Sequence, residues 1–401
     1  MSTPLSRWAA LVWLAVLPGL TLVSSIAVAE PYIAIQTGYK CSACHVNPTG
    51  GGLRTAFGDV FAENLLATKV LPAGSPVWTG QVVQDILRIG GDLRTDYMRT
   101  AAPQTPLSAQ FSLEQARVYT DVSVIPNLLG VYVDEQVAPG TQNMEAYVRF
   151  GNTSNWYLKA GRFYLPFGWR LQDQTAFVRQ VTGINMNAPD TGVEFGLERG
   201  HWDWQVDATN GAANQGSSNT SNTSSTSSTS STSSTSGTSG TSSTSSTSTS
   251  RSSGYMATTQ LMYTTTSWRA GIAGSYTQSS IAGNRDMVGL FAGLRTGPVA
   301  WLGEADVVQQ AGYSDGTHTM VPMLGEMDWL LYKGNNLKLT YEFFDPDGHV
   351  EHNQETRWSA VYELTPIPFL QIRAGFRRYQ GIPQNHAQNK TLAFLEAHGF
   401  F

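Results

Sequence analysis

The sequence predicts an all-β chain in which about sixteen antiparallel strands close into a barrel, with a small α-helical segment at its N-terminus. Three observations predict it. From Asp85 to the end, the chain breaks into short segments that alternate apolar and polar residues, the period of strands with one greasy and one wet face. The links between segments alternate short and long, as in a barrel with short turns on one rim and loops on the other. The chain also holds 39 glycines, 16 tyrosines, 16 phenylalanines and 11 tryptophans but only 14% charged residues. No apolar run after residue 29 approaches the length of a spanning helix. Composition alone leaves a soluble all-β protein or a membrane barrel; the alternating links favour the barrel.

The N-terminus reads as an export signal. Arg7 is the only charge before Glu30, Trp8 to Val23 is an apolar run, and Ala27-Val28-Ala29 are small. That layout predicts a secretory signal peptide over residues 1–29, cleaved near Glu30, rather than an anchor. Removing Arg7 from the 25 basic residues leaves 24 against 30 acidic ones, a net charge of −6. No basic tail points to nucleic acid.

Residues 30–80 form the next unit. It contains Cys41-Ser42-Ala43-Cys44-His45, with the only two cysteines of the chain. Cys-x-x-Cys-His is the attachment signature of c-type haem: two thiols form thioethers and the adjacent histidine ligates the iron. A zinc site wants a second pair of ligands, which the sequence lacks. A thioredoxin-like disulfide would sit in a strand-helix-strand pattern, which is also missing. After His45, the run Pro48-Thr49-Gly50-Gly51-Gly52 would let backbone approach a porphyrin closely. Leu53, Phe57, Phe61 and Leu65 recur at helical spacing and predict one short amphipathic helix. So short a segment is marginal alone, which predicts that it docks as a plug in something larger.

Residues 81–401 supply the barrel. Strands are expected to begin near residues 85, 111, 128, 144, 156, 191, 202, 254, 268, 286, 299, 320, 336, 352, 369 and 389. In the first, Leu87, Ile89, Leu93 and Tyr97 share one face, and Arg88, Asp92, Arg94, Asp96 and Met98 the other. Long links are expected near 101–110, 138–143, 164–190, 211–253, 279–285, 311–319, 346–351 and 380–388. Trp156, Trp202, Trp268 and Trp301 each follow a short turn and Trp329 precedes one, which predicts an interfacial girdle on the periplasmic rim. Residues 216–250 are almost wholly serine and threonine; with nothing to bury, the loop at 216–253 is expected to be solvated and extracellular. The terminal Phe401 resembles the last aromatic of outer-membrane proteins.

Any sixth iron ligand has to come from the barrel part, because residues 30–81 hold no methionine and no histidine besides His45. By strand parity, Met98, Met256, Met262 and His398 face the lumen, whereas Met144, Met323 and Met327 face lipid. Met186 lies in the long link. Met98 and Met186 are the candidate distal ligands, with a five-coordinate or water-bound iron as the alternative.

Two resemblances add to this reading. Gly161-Arg162-Phe163-Tyr164-Leu165-Pro166-Phe167-Gly168 resembles a segment of phosphate-selective-type porins and implies that link 164–190 folds inward as a constriction loop. Gln36-Thr37-Gly38 ahead of Cys41-Ser42-Ala43-Cys44-His45, with a barrel filling the rest, is similar to the fused outer-membrane monohaem cytochrome-porins associated with iron oxidation. The resemblance implies one covalent haem c, with thioethers on Cys41 and Cys44 and His45 as proximal ligand. It also implies an outer-membrane location in contact with lipid, an extracellular electron donor or acceptor such as Fe(II), and a periplasmic c-type cytochrome or other carrier as partner. The activity implied is that of an Fe(II):cytochrome c oxidoreductase. The Pro48–Gly52 run departs from the iron-oxidising members and leaves the donor open. The alternative is a passive or redox-gated porin for small solutes. A haem enzyme such as a peroxidase would need a distal acid or base that the plug lacks.

Overall fold

The computed structural model describes residues 30–72, 75, 78–84, 86–211, 254–279, 283–313 and 316–401. The predicted signal peptide and the Ser/Thr-rich loop lie outside them. A three-residue strand β1 (Gln81–Val83) leads into sixteen longer ones. They are β2 (Leu87–Ala101), β3 (Ser108–Ile125), β4 (Leu129–Ala138), β5 (Gln142–Asn152), β6 (Trp156–Phe163), β7 (Asp190–Arg199), β8 (Trp202–Thr209) and β9 (Gly254–Thr264). The second half continues with β10 (Trp268–Ser279), β11 (Arg285–Thr296), β12 (Val299–Tyr313), β13 (Gly316–Tyr332), β14 (Asn335–Asp345), β15 (Glu355–Ile367), β16 (Leu370–Gln380) and β17 (Thr391–Phe400). From β2 onward each strand pairs antiparallel with the next, and β17 pairs back onto β2 over Thr391–Phe400 and Asp92–Ala101. The result is a closed sixteen-stranded antiparallel barrel with no free edge, the one sheet that satisfies its backbone groups in lipid.

The alternation in sequence becomes an inside and an outside. On β2, Asp92, Arg94 and Asp96 are buried while Leu93 and Tyr97 are exposed. This inverts the pattern of a soluble protein: polar groups line a filled lumen, and the greasy face meets the surroundings. Trp156, Trp202, Trp268, Trp301 and Trp329 are all exposed and sit at the short-turn rim, which is the girdle expected there.

Three local expectations are corrected. The link at 311–319 is shorter than expected, because β12 runs to Tyr313 and β13 resumes at Gly316. Met144 faces inward rather than toward lipid: a register shift at Asp134/Glu135 leaves it unpaired beside Glu145, so both side chains are buried, as a bulge permits. Leu53 to Leu65 is not one helix. Leu53 precedes it, the α-helix covers only Ala56–Phe61, and a π turn over Ala62–Leu66 follows. The π turn takes Leu65 out of the apolar period, so it is exposed while Phe61 is buried; Phe57, one turn earlier in the α-helix, is also exposed and packs edge-on to Tyr39.

The link between β6 and β7 folds into the lumen. Its helix α4 (Phe177–Thr182) and the residues before it bury Tyr164, Leu165, Phe167, Trp169 and Leu171. Wall residues hold it there. Glu304 accepts from the Trp169 backbone N–H at 2.9 Å and pairs with Arg179; Glu342 accepts from the Phe177 N–H at 2.7 Å; Arg357 and Arg377 reach Asp173 at 2.8 and 2.9 Å. Loop, plug and wall share one apolar cluster that includes Ile35, Leu53, Phe163, Trp169 and Phe291.

Candidate functional site

Residues 30–72 occupy the short-turn end of the lumen. Helix α1 (Pro31–Thr37) starts on a proline, where the missing N–H costs nothing, and ends on Gly38 in the left-handed conformation. A single turn, α2 (Cys41–Cys44), carries the cysteines, and the chain then turns back so that His45 bridges Arg54. Thr55 caps α3 (Ala56–Phe61) by accepting from the Gly58 N–H. Gly58 is needed there, because a Cβ would strike the Cys44 carbonyl. The helix can thus lie directly against the cysteine turn.

Polar contacts tie this segment to strands around the wall. Glu30 pairs with Lys338 at 2.7 Å, Gln36 donates to the Pro298 carbonyl, Lys40 pairs with Asp203 at 2.8 Å, and Ser42 donates to Glu198. Arg88 reaches across to Asp59 at 2.6 Å, so its partner lies in the plug. Asp92 faces Arg94 and His398, and Arg373 pairs with Glu396 at 3.1 Å. Asn47 is fully buried between Glu145 and Lys159: its Nδ2 donates to both carboxylate oxygens, and its Oδ1 accepts from the ammonium.

Gly50, Gly51 and Gly52 all have positive φ. The reason they are glycines differs in part from the one expected. A Cβ on Gly52 would strike the hydroxyl of Tyr132, which accepts from the Leu53 N–H, and one on Gly51 would press on Arg170. The run therefore lets the plug close on wall and loop; only Gly50 reaches the cavity.

That cavity lies between plug, constriction loop and wall. Cys41, Cys44 and His45 line it together, facing Phe61, Phe167, Trp169 and Phe291. Both cysteines are free. Burial pushes both thiols up, Cys44 to about 11, so they are neutral thiols rather than reactive thiolates. Burial likewise pulls His45 down to about 3, with Arg54 and Arg170 pushing the same way. The imidazole is therefore neutral, the ligating form, and its Nδ1 has no hydrogen-bond partner. Among the described residues no group of three or more His, Cys, Asp or Glu is placed to hold a metal ion.

Of the two candidate distal residues, Met186 lines the cavity from the loop. Met98 is on β2, outside its wall, because strand parity fixes a side but not a height. Met262, read only as lumenal, also lines it. The arginines of the site were missed by sequence reading: Arg54 follows the glycine run and Arg170 lies in the loop, and only folding brings them to one cavity.

No protein-family model matches the chain, and no curated protein matches it in sequence. Solved structures are similar in fold. The anion-selective porin from Comamonas acidovorans gives a TM-score of 0.58 at 9% identity, covering 79% of this chain and 99% of that one. The outer membrane channel DcaP of Acinetobacter baumannii gives 0.55 at 12%, over 80% and 99%. Outer-membrane expressed OmpT of Vibrio cholerae gives 0.53 at 8%, over 79% and 97%. The chain therefore has the fold of a sixteen-stranded outer-membrane porin. Within that class, it is a porin-type barrel with its own N-terminal helical plug in the lumen, and about a fifth of it has no counterpart in the Comamonas porin.

Proposed function

We propose that this barrel carries one covalent c-type haem in its lumen and moves electrons across the outer membrane. The observation that carries the reading is the convergence of Cys41, Cys44 and His45 on one cavity inside the barrel. The free thiols, the neutral imidazole and the aromatic walls fit that group. Haem supplies one-electron chemistry where the hydrocarbon layer offers none. The chain's own residues do the rest: the cysteine turn fixes position, His45 presents a ring nitrogen, and Phe61, Phe167, Trp169 and Phe291 keep water off. Met186 is the distal candidate. An extracellular donor such as ferrous iron and a periplasmic c-type cytochrome are the partners this reading takes, with the signal peptide removed on export.

The test is to express the full chain with a c-type maturation system and denature it. Haem absorbance that stays with the polypeptide, and is lost in the Cys41→Ala/Cys44→Ala double variant, is expected. Wild-type protein without bound haem would sink the reading. Anaerobic mixing with ferrous iron then decides the donor: rapid appearance of reduced haem bands supports iron, and reduction by dithionite alone excludes it.

A second reading is a passive or redox-gated porin for small solutes. The comparisons favour it, since the structures similar in fold are porins and channels. Single-channel conductance of the full chain in planar bilayers separates the two. An open pore supports the channel, and redox activity without conductance supports the conduit.

A further inference from the structure

Among the described residues, five cationic side chains line the cavity, Lys40, Arg54, Arg170, Arg179 and Arg269, against one acid, Glu30. Most are already answered. Lys40 pairs with Asp203, Arg179 with Glu304, Arg269 donates to the Ala34 and Tyr39 carbonyls, and Glu30 is held by Lys338. Arg54 and Arg170 are answered least, Arg170 by only a long ion pair to Glu145 at 3.9 Å. Arg54 is only 7% exposed, lies over the Phe400 ring, and its Nη2 has no hydrogen-bond partner. Nearby Asp59 is bonded to Arg88. Arg170 gives one hydrogen bond, from Nη1 to Thr49, and stacks on Tyr164. Its Nε and Nη2 have none, and Glu145 is beyond hydrogen-bond reach of Nη2 at 3.9 Å.

Buried guanidinium N–H groups without partners are costly, and planar carboxylates are what their fork fits. One arginine comes from the plug and the other from the loop, and both line the cavity. We propose that Arg54 and Arg170 form a carboxylate clamp that takes the two propionate groups of the tetrapyrrole. This identification of the ligand rests on the haem reading above. Cys41 and Cys44 would hold the ring by its vinyl edge, and the arginines would answer the acidic one. Plug and loop would then be cross-linked through the cofactor.

The test uses the full haem-loaded chain with Arg54→Gln, Arg170→Gln and the matching Lys variants, and reads midpoint potential by spectroelectrochemistry. Removing a fixed positive charge favours the oxidised iron. Each Gln variant is therefore expected to shift the reduced-to-oxidised ratio at least tenfold toward oxidised, about 59 mV for one electron, and Lys to restore most of it. Haem attached but potential unchanged in both Gln variants overturns the clamp and leaves the haem reading intact. If the wild type binds no haem, the haem reading itself falls. The haem-free protein is then titrated with succinate: binding that Arg54→Gln or Arg170→Gln abolishes assigns the clamp to a free solute and overturns the tetrapyrrole as ligand. No binding overturns the clamp altogether. Heat-modifiable mobility on gels checks that each barrel is folded, and Arg170→Gln carries the test if Arg54→Gln does not fold.

Discussion

Asn47 offers the sharpest test of how the plug is held. Its side chain is fully buried and donates to both oxygens of Glu145 at 2.8 and 2.9 Å while accepting from Lys159 at 3.2 Å. Hydrogen bonds to charged groups are worth about 1.5–3 kcal/mol each, so Asn47→Leu removes at least about 3 kcal/mol from docking. Both charges are themselves fully buried, and no water can replace the lost amide without the seam opening. At 1.4 kcal/mol per factor of ten, the opened population rises about a hundredfold. The assay is maleimide labelling of Cys41 and Cys44 in haem-free protein, where the thiols report local opening. A labelling rate within about threefold of wild type would refute the idea that this seam, rather than the apolar cluster, holds the plug.

Further expectations follow from the same geometry. Asp173 is held well below its ordinary 3.8 by Arg357 and Arg377, despite burial pushing the other way. A depressed carboxylate stabilises above its unfolded pKa and loses that contribution as pH falls. Hydrogen exchange of the α4 amides at pH 6 should therefore be slower in wild type than in Asp173→Asn, with the difference closing as pH drops below 3.8; a pH-independent difference would exclude this anchor. Gly52→Val places a side chain on the Tyr132 hydroxyl at a φ of +64° and should cost about 2–5 kcal/mol from left-handed strain and overpacking. Thiol labelling faster than wild type checks it, and an unchanged rate would show that the contact yields. In haem-loaded protein, Met186→Leu should change the ligand-field bands and the potential while Met98→Leu leaves both alone. The reverse result would return the distal role to β2.

The barrel was legible in the sequence because every strand had to choose between lumen and lipid. Alternation at Leu93, Arg94, Tyr97 and Asp96 states that choice residue by residue, and the tryptophans beside short turns mark the membrane boundary. Cys41-Ser42-Ala43-Cys44-His45 stood out as a local motif, and the structure brings its two thiols and imidazole to one cavity. Where side chains depend on one inserted residue, parity failed: the bulge at Asp134/Glu135 turned Met144 inward, and the π turn after Phe61 rotated a helix face. What only the tertiary structure decided is which distant segments share the lumen. Arg54 and Arg170, Met186 and His45, Asn47 and Glu145 meet because closing the barrel forces the plug and the loop into one space. Period and spacing record the neighbours along a chain and across a hairpin. They hold no information about contacts made through an enclosed volume, and there burial and charge compensation choose the partners.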